Sequence, residues 1–260
     1  MAGLCKLEGK IALITGASSG IGQGTAILFA KLGAKLAITG RNDENLRKTA
    51  DECEKQCGQK PLMIVADLAK ESEIQKVIDE TIKGYGNIDI LVNNAGIGMM
   101  GGIETLTPQQ YDEVMNINTR SIFLITKQAI PHMNQNGSII NVSTNVTIGP
   151  VPSLLAYGMS KCALDYLTKN VAVELAPRKI RVNSVNPGVI VTEVHRRMGM
   201  DEDTYQNQVL GRCHSINALG RPGQVNEVAD LIAFLASDNS SFITGAIIPI
   251  DGGANIITAS

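Results

Sequence analysis

Short apolar runs alternate with helix-period segments along this chain, and that alternation restricts its fold more than any other feature. Residues 11–15, 35–39, 62–66, 88–92, 138–142, 181–185 and 246–250 each read as a strand. Between them, residues 20–31, 42–56, 71–83, 108–133, 155–176 and 227–236 carry helical patterning. Strands this short and continuously apolar are covered on both faces. Their alternation with helices requires right-handed crossovers into a parallel, doubly wound sheet. The expected fold is therefore a single α/β domain over residues 1–260, a Rossmann-type sheet of about seven strands with helices on both faces. Only 193–224 falls outside the pattern, and so long a loop usually serves function. It is expected to act as a substrate lid.

Bulk properties exclude several classes. The chain has 260 residues, a formal net charge of −2, 44% hydrophobic and 18% charged residues. A chain of this size needs no disulfide or metal staple. No basic stripe points to nucleic acid, and no basic amphipathic segment points to a membrane surface. Residues 1–10 lack an apolar signal core, and no apolar run reaches the ~20 residues of a spanning helix. Cys5, Cys53, Cys57, Cys162 and Cys213 lack zinc-site spacing. Reduced thiols in a cytoplasmic protein without a metal site are expected. The helix at 155–176 is apolar on two sides, with Leu164, Leu167, Val171 and Leu175 on one and Ala163, Tyr166 and Val173 on the other. One side suits the sheet and the other a second subunit, so a homo-oligomer, dimer or tetramer, is expected.

Thr15-Gly-Ala-Ser-Ser-Gly-Ile-Gly22 lies between the first strand and the first helix. Gly16 lets the chain leave the strand sharply, Gly20 lets backbone approach a pyrophosphate, and Gly22 allows close helix–strand packing. Ser18, Ser19 and Ile21 complete a turn whose free N–H groups and helix dipole favour phosphate. The spacing is G-x-x-x-G-x-G rather than G-x-G-x-x-G. The second strand leads into Gly40-Arg41-Asn42. A carboxylate here would hold a ribose 2′-hydroxyl; Gly40 has none, while the Arg41 fork suits a 2′-phosphate. NADP(H) is the cofactor expected.

Further motifs follow in order: Asn93-Asn-Ala-Gly96 after the fourth strand, Asn118 in the next helix, Tyr157-Gly-Met-Ser-Lys161, Asn186-Pro-Gly-Val-Ile-Val-Thr192, and Asp251-Gly-Gly253. With the glycine turn, they make the chain resemble the short-chain dehydrogenase/reductase family over nearly its whole length. Within that family it is similar to 3-oxoacyl-carrier-protein reductases and hydroxysteroid dehydrogenases. The resemblance implies hydride transfer between a nicotinamide and a carbonyl or secondary alcohol.

Carbonyl reduction needs a proton as well as a hydride. Tyr157 can supply it, and Lys161, one helical turn on, shares its face. A cation nearby is expected to lower the phenol's pKa toward neutrality. By resemblance, Lys161 also holds the nicotinamide ribose, and Asn118 anchors a water that relays protons. The family's substrate-polarising serine stands thirteen residues before the tyrosine; here that position is Thr144, preceded by Ser143. Threonine keeps the hydroxyl but adds a methyl, and either residue can fill the role. The resemblance further implies Asp67 and Leu68 at the adenine, Asn94, Ala95 and Gly96 along the ribose, Pro187 and Gly188 in the turn after strand six, and Ile190 and Thr192 at the carboxamide.

On the substrate side, Met99, Met100, Met198 and Met200 suit an adaptable apolar wall. Arg196 and Arg197 suit an anionic tail, and His195 lacks a second metal ligand. The competing reading is a cofactor-binding regulatory protein with little turnover, which the Thr144 departure invites.

Overall fold

The computed structural model describes residues 5–193 and 198–257. Among them, seven strands form one sheet: β1 (Ile11–Thr15), β2 (Lys35–Gly40), β3 (Leu62–Val65), β4 (Ile88–Asn93), β5 (Met133–Val142), β6 (Arg181–Pro187) and β7 (Ile247–Ile250). All pairs are parallel, in the order β3-β2-β1-β4-β5-β6-β7. The order reverses between β1 and β4, where chains leaving toward opposite sides open a crevice at the carboxyl ends.

The period of two along each strand divides the core in two. Ala12, Ile14, Leu36, Ile38, Val92 and Ile140 face one side, against Phe29 of α1 (Gly20–Lys31), Leu46 of α2 (Asp43–Cys57), and Val228 and Ile232 of α7 (Val225–Ala236). Leu13, Ala37, Leu91, Ile139 and Val182 face the other, against Ile74 and Ile78 of α3 (Glu71–Tyr85), Ile125 of α5 (Ser121–Ala129), and Ala172 and Leu175 of α6 (Leu155–Leu175). Capping sets several boundaries. The Asn42 side chain accepts from Asn45 N at 2.8 Å to start α2, and Gly58 closes it at φ 73°. Thr107 and Gln110 form a capping box at α4 (Pro108–Met115), with proline in its first turn.

Three expectations need correction. The helix over 108–133 is not continuous. A π turn, Asn116–Arg120, separates α4 from α5, a short 3₁₀ turn follows at Ile130–His132, and Met133 already begins β5. The π turn widens the helix by one residue, with Ser121 N–H reaching Asn116 O, and such turns gather at functional sites. Segment 193–224 is not all loop: helical turns occupy Glu202–Thr204, Tyr205–Leu210 and Cys213–Ile216. Tyr205, fully buried, anchors the segment, its hydroxyl donating to Thr192 O at 3.4 Å. β5 starts five residues early because Met133 pairs with Ile88 before a register shift. No helix among the described residues is long and apolar enough to cross a membrane.

Candidate active site

The crevice is built first from backbone. Gly16 and Gly20 have φ of 66° and 55°, values that L side chains strain to adopt. A Cβ on Gly22 would stand 2.3 Å from Gly16 O and 2.4 Å from Asn94 Nδ2, so only glycine fits. Asn94 donates from Nδ2 to Thr15 O (2.9 Å) and Gly16 O (3.1 Å), and Thr15 Oγ1 accepts from the backbone N–H groups of Asn94 and Ala95 at 3.0 Å each. The Asn94 amide thus lies beneath the glycine turn, tying it to the end of β4, and only its main chain with Ala95 and Gly96 borders the crevice. Thr15 was missed in the sequence. Its signal is a hydroxyl at the last position of a strand whose other members are apolar.

The turn is also fixed to β2, through Ala17 N donating to Thr39 O at 3.0 Å. Ser19 occupies the N-cap of α1 in extended conformation without a side-chain cap bond, and Ile21 opens the helix. Ser18 Oγ stands 3.0 Å from where a Gly40 Cβ would be. Position 40 therefore lies under Ser18, with exposed Arg41 following it. Asp67 Oδ1 accepts from Ala69 N at 3.1 Å, ordering the turn after β3, and Leu68 is buried behind it. This floor of positive-φ glycines at a helix amino end fits a dinucleotide pyrophosphate.

The candidate acid/base pair lies beyond this floor. α6 presents Tyr157 and Lys161 one turn apart. Lys161 is 3% exposed; its Nζ donates to Val142 O at 2.8 Å and lies 6.0 Å from the Tyr157 ring centroid. Burial lowers its pKa from 10.5 to about 8, against an opposing pull from Asp165. Tyr157 is shifted the other way from the expectation. Loss of water raises its pKa, and a hydrogen bond from the Thr144 side chain only partly offsets this.

Thr144 and Ser143 end β5's path into the crevice, and the two hydroxyls diverge. Thr144 acts on the phenol, while its Oγ1 also accepts from Val146 N at 3.4 Å and lies 3.5 Å from Pro187 O. Ser143 Oγ instead donates to Lys161 O at 3.4 Å, in the α6 backbone. Asn118 sits inside the π turn, fully buried. Its Oδ1 accepts from Ile97 N and its Nδ2 donates to Ile97 O, both at 2.8 Å, and Nδ2 reaches Ser160 Oγ at 3.1 Å. The amide locks the ledge after Gly96, so the side chain is occupied by protein and leaves no spare donor for a water. A Cβ on Gly96 would lie 3.2 Å from Asn118 Oδ1 and 3.5 Å from Lys161 Nζ. Bare backbone at Gly96 therefore meets both residues.

The far wall follows β6. Pro187 is buried, and Gly188 N donates to Ile250 O at 3.1 Å. The Ile190 side chain points into the core and packs against Gly223, so only its main chain can face a nicotinamide. The Thr192 methyl comes within 3.4 Å of a Cβ placed on Gly20, which brings the segment after β6 to the glycine turn. Met198 Sδ occupies the space a Gly98 side chain would need, 2.5 Å from such a Cβ, so Met198 packs on the loop carrying Met99 and Met100. His195, Arg196 and Arg197 lie outside the described residues. Among the described residues, no group of three or more His, Cys, Asp or Glu side chains forms a metal cluster.

A parallel doubly wound sheet with a glycine turn at its switch point and a Tyr-x-x-x-Lys pair on the neighbouring helix defines a class of nicotinamide-dependent oxidoreductases. The chain belongs to the short-chain dehydrogenase/reductase family: the family model described as "Enoyl-(Acyl carrier protein) reductase" matches residues 16–255. It is 40% identical over 250 residues to 3-oxoacyl-[acyl-carrier-protein] reductase FabG of Thermotoga maritima, covering 95% of this chain and 98% of that one. It is 35% identical over 255 residues to glucose 1-dehydrogenase of Gluconobacter oxydans, covering 96% and 94%. A solved short-chain dehydrogenase/reductase from Serratia marcescens superposes with a TM-score of 0.87 at 36% identity, covering 96% and 99%.

Proposed function

We propose that this chain is an NADP(H)-dependent oxidoreductase that interconverts a carbonyl and a secondary alcohol, with Tyr157 as general acid/base. The observation that carries it is the meeting of Thr144, Tyr157 and Lys161 in one partly desolvated crevice beside the glycine turn. Gly16, Ser18, Ser19, Gly20, Ile21 and Gly22 would cradle the pyrophosphate. Arg41 with Ser18 would take the 2′-phosphate, since Gly40 offers no carboxylate for a free 2′-hydroxyl. Asp67 and Leu68 would border the adenine, and Asn94, Ala95 and Gly96 the ribose. Pro187, Gly188, Ile190 and Thr192 would form the nicotinamide wall, Ile190 through its main chain.

When bound, NADPH supplies the hydride. The protein's own part is proton handling and polarisation. Burial holds the Tyr157 phenol neutral, so it enters the reaction as a proton donor. The Thr144 hydroxyl adds a second hydrogen bond toward the oxygen on which negative charge develops. Lys161, charged below about pH 8, stabilises the phenolate that proton donation leaves behind. Asn118 and Ser160 keep the Gly96–Ile97 ledge and the start of α6 in fixed relation.

The relatives' printed names give a 3-oxoacyl group on a carrier protein and glucose, consistent with a small-molecule carbonyl or alcohol substrate. We take residues 1–260 as one cytoplasmic domain with its lid over about 193–224. Tyr166 and Val173 are 71% and 76% exposed, with Phe123 of α5 also exposed. This apolar face supports self-association as a dimer or tetramer. NADPH oxidation against ketones, quinones, steroids and 3-oxoacyl thioesters, with NADH in parallel, tests the proposal. Turnover with NADPH on one class is expected; tight NADPH binding with no turnover on any would favour a regulatory protein instead.

A further inference from the structure

Asp165 is a buried carboxylate, 9% exposed, one turn beyond Lys161 on α6 and outside every motif described above. Its Oδ1 accepts from Ser184 Oγ at 3.1 Å, and its Oδ2 accepts from Asn186 Nδ2 at 2.9 Å, both on β6. The same Asn186 Nδ2 reaches Thr144 O at 3.0 Å and Thr147 Oγ1 at 3.1 Å. One carboxylate therefore ties the helix of Tyr157 and Lys161 to the strand after it and, through Asn186, to the main chain of Thr144. A buried carboxylate is costly unless it is bonded and paired. Here its bonds run to the segment that aims the Thr144 hydroxyl, and its charge lies beside Lys161.

We infer that Asp165 is a positioning residue: through Asn186 it holds the Thr144 segment in place beside Tyr157. This role rests on the Tyr157–Lys161 reading above. On its own helix Lys161 is approached by the Tyr157 ring, 6.0 Å from its Nζ, and by the charge of Asp165 one turn on. Strand β5 presents the neutral Val142 carbonyl, the ledge presents Gly96, and the π turn presents the neutral Asn118 amide. β6 presents Ser184 and Asn186 to Asp165, and the Asp251 carboxylate faces Asn145 and Gly188. The Asp165 charge favours the Lys161 ammonium, so its removal acts in one direction.

The test compares Asp165→Asn with the unaltered protein and with Tyr157→Phe. The readouts are NADPH affinity by fluorescence, kcat for ketone reduction, and the pH dependence of kcat/KM. For Asp165→Asn, NADPH affinity should stay within about twofold, kcat should fall about tenfold or more, and the alkaline limb of kcat/KM should move acidward by about 0.5–1 pH unit. The direction follows because losing the anion disfavours the ammonium. A folded Asp165→Asn that keeps its kcat overturns the role, as does a loss of NADPH affinity as large as the loss of kcat. If Asp165→Asn does not fold, Asn186→Ser keeps the carboxylate but releases the Thr144 carbonyl. That variant should lose kcat without moving the limb, and an unchanged kcat overturns the proposal. Full activity in Tyr157→Phe would instead overturn the underlying reading and the Asp165 role with it.

Discussion

Replacing Thr144 by valine keeps the shape of the side chain and removes only its hydroxyl. That hydroxyl has weak structural duties: Val146 N reaches it at 3.4 Å and Pro187 O lies at 3.5 Å. Bonds this long contribute at most about 0.5–1.5 kcal/mol each to the fold, so Thr144→Val should remain folded with little change in Tm. The chemical loss should be much larger. If Thr144 stabilises the developing oxyanion, removing that donor costs about 10²–10³ in kcat, roughly 2.7–4 kcal/mol. NADPH affinity should change little, since the one contact of this hydroxyl with the proposed nicotinamide wall, Pro187 O, is long at 3.5 Å. Steady-state ketone reduction with NADPH, together with cofactor binding followed by fluorescence, separates the two. Thr144→Ser, which restores the hydroxyl without the methyl, should recover activity to within a few fold. Ser143→Ala should be nearly neutral, because that hydroxyl is directed to the α6 backbone. A Thr144→Val variant retaining more than about a third of kcat would refute the assignment, as would a collapse in Ser143→Ala alone.

Other outcomes follow from the same geometry. Arg41→Ala should raise the Kd for NADPH by tenfold or more, about 1.4 kcal/mol, and leave NADH affinity unchanged; equal losses for both would remove the 2′-phosphate argument. Gly22→Ala would force a Cβ against Gly16 O and Asn94 Nδ2, costing about 1–3 kcal/mol, so Tm should drop by several degrees and NADPH binding should be lost; normal binding would contradict the cradle. For pH, Lys161 is lowered to about 8, so kcat/KM for reduction should decline as pH rises through that value. Lys161→Arg should move the decline out of the accessible range, and an identical profile in that variant would assign the limb to another group. The same shift has a stability consequence. Between about pH 8 and 10.5 the unfolded chain binds the proton that the folded chain has released, so this group's contribution to stability rises with pH across that window.

The sheet was legible because each strand is covered on both faces and so reads as an unbroken apolar run. The glycine turn was legible because Gly16, Gly20 and Gly22 each answer a backbone need that no other residue meets. The π turn was not. An extra residue in one turn leaves the apolar periodicity of 108–133 nearly intact, and only the i→i+5 bond from Ser121 to Asn116 reveals it. The direction of the Tyr157 shift was also hidden. Spacing places Lys161 on the same face, but which acceptor its ammonium chooses, and how much water the phenol loses, depend on what the fold packs against α6. Asn94 and Ile190 show a related limit, since motif position placed both at the cofactor wall while packing turned their side chains beneath the turn and into the core. Asp165 escaped notice because its partners Ser184 and Asn186 come from β6, which only the folded sheet brings beside α6.

The central claim is that the Tyr157 phenol carries the proton in a nicotinamide-dependent reaction. Its most direct test is single-turnover reduction of a ketone by NADPH in Tyr157→Phe, with NADPH affinity measured on the same sample. The phenol acts in the transition state, so turnover should vanish while NADPH binds as tightly as before. Turnover persisting at a comparable rate would contradict the account.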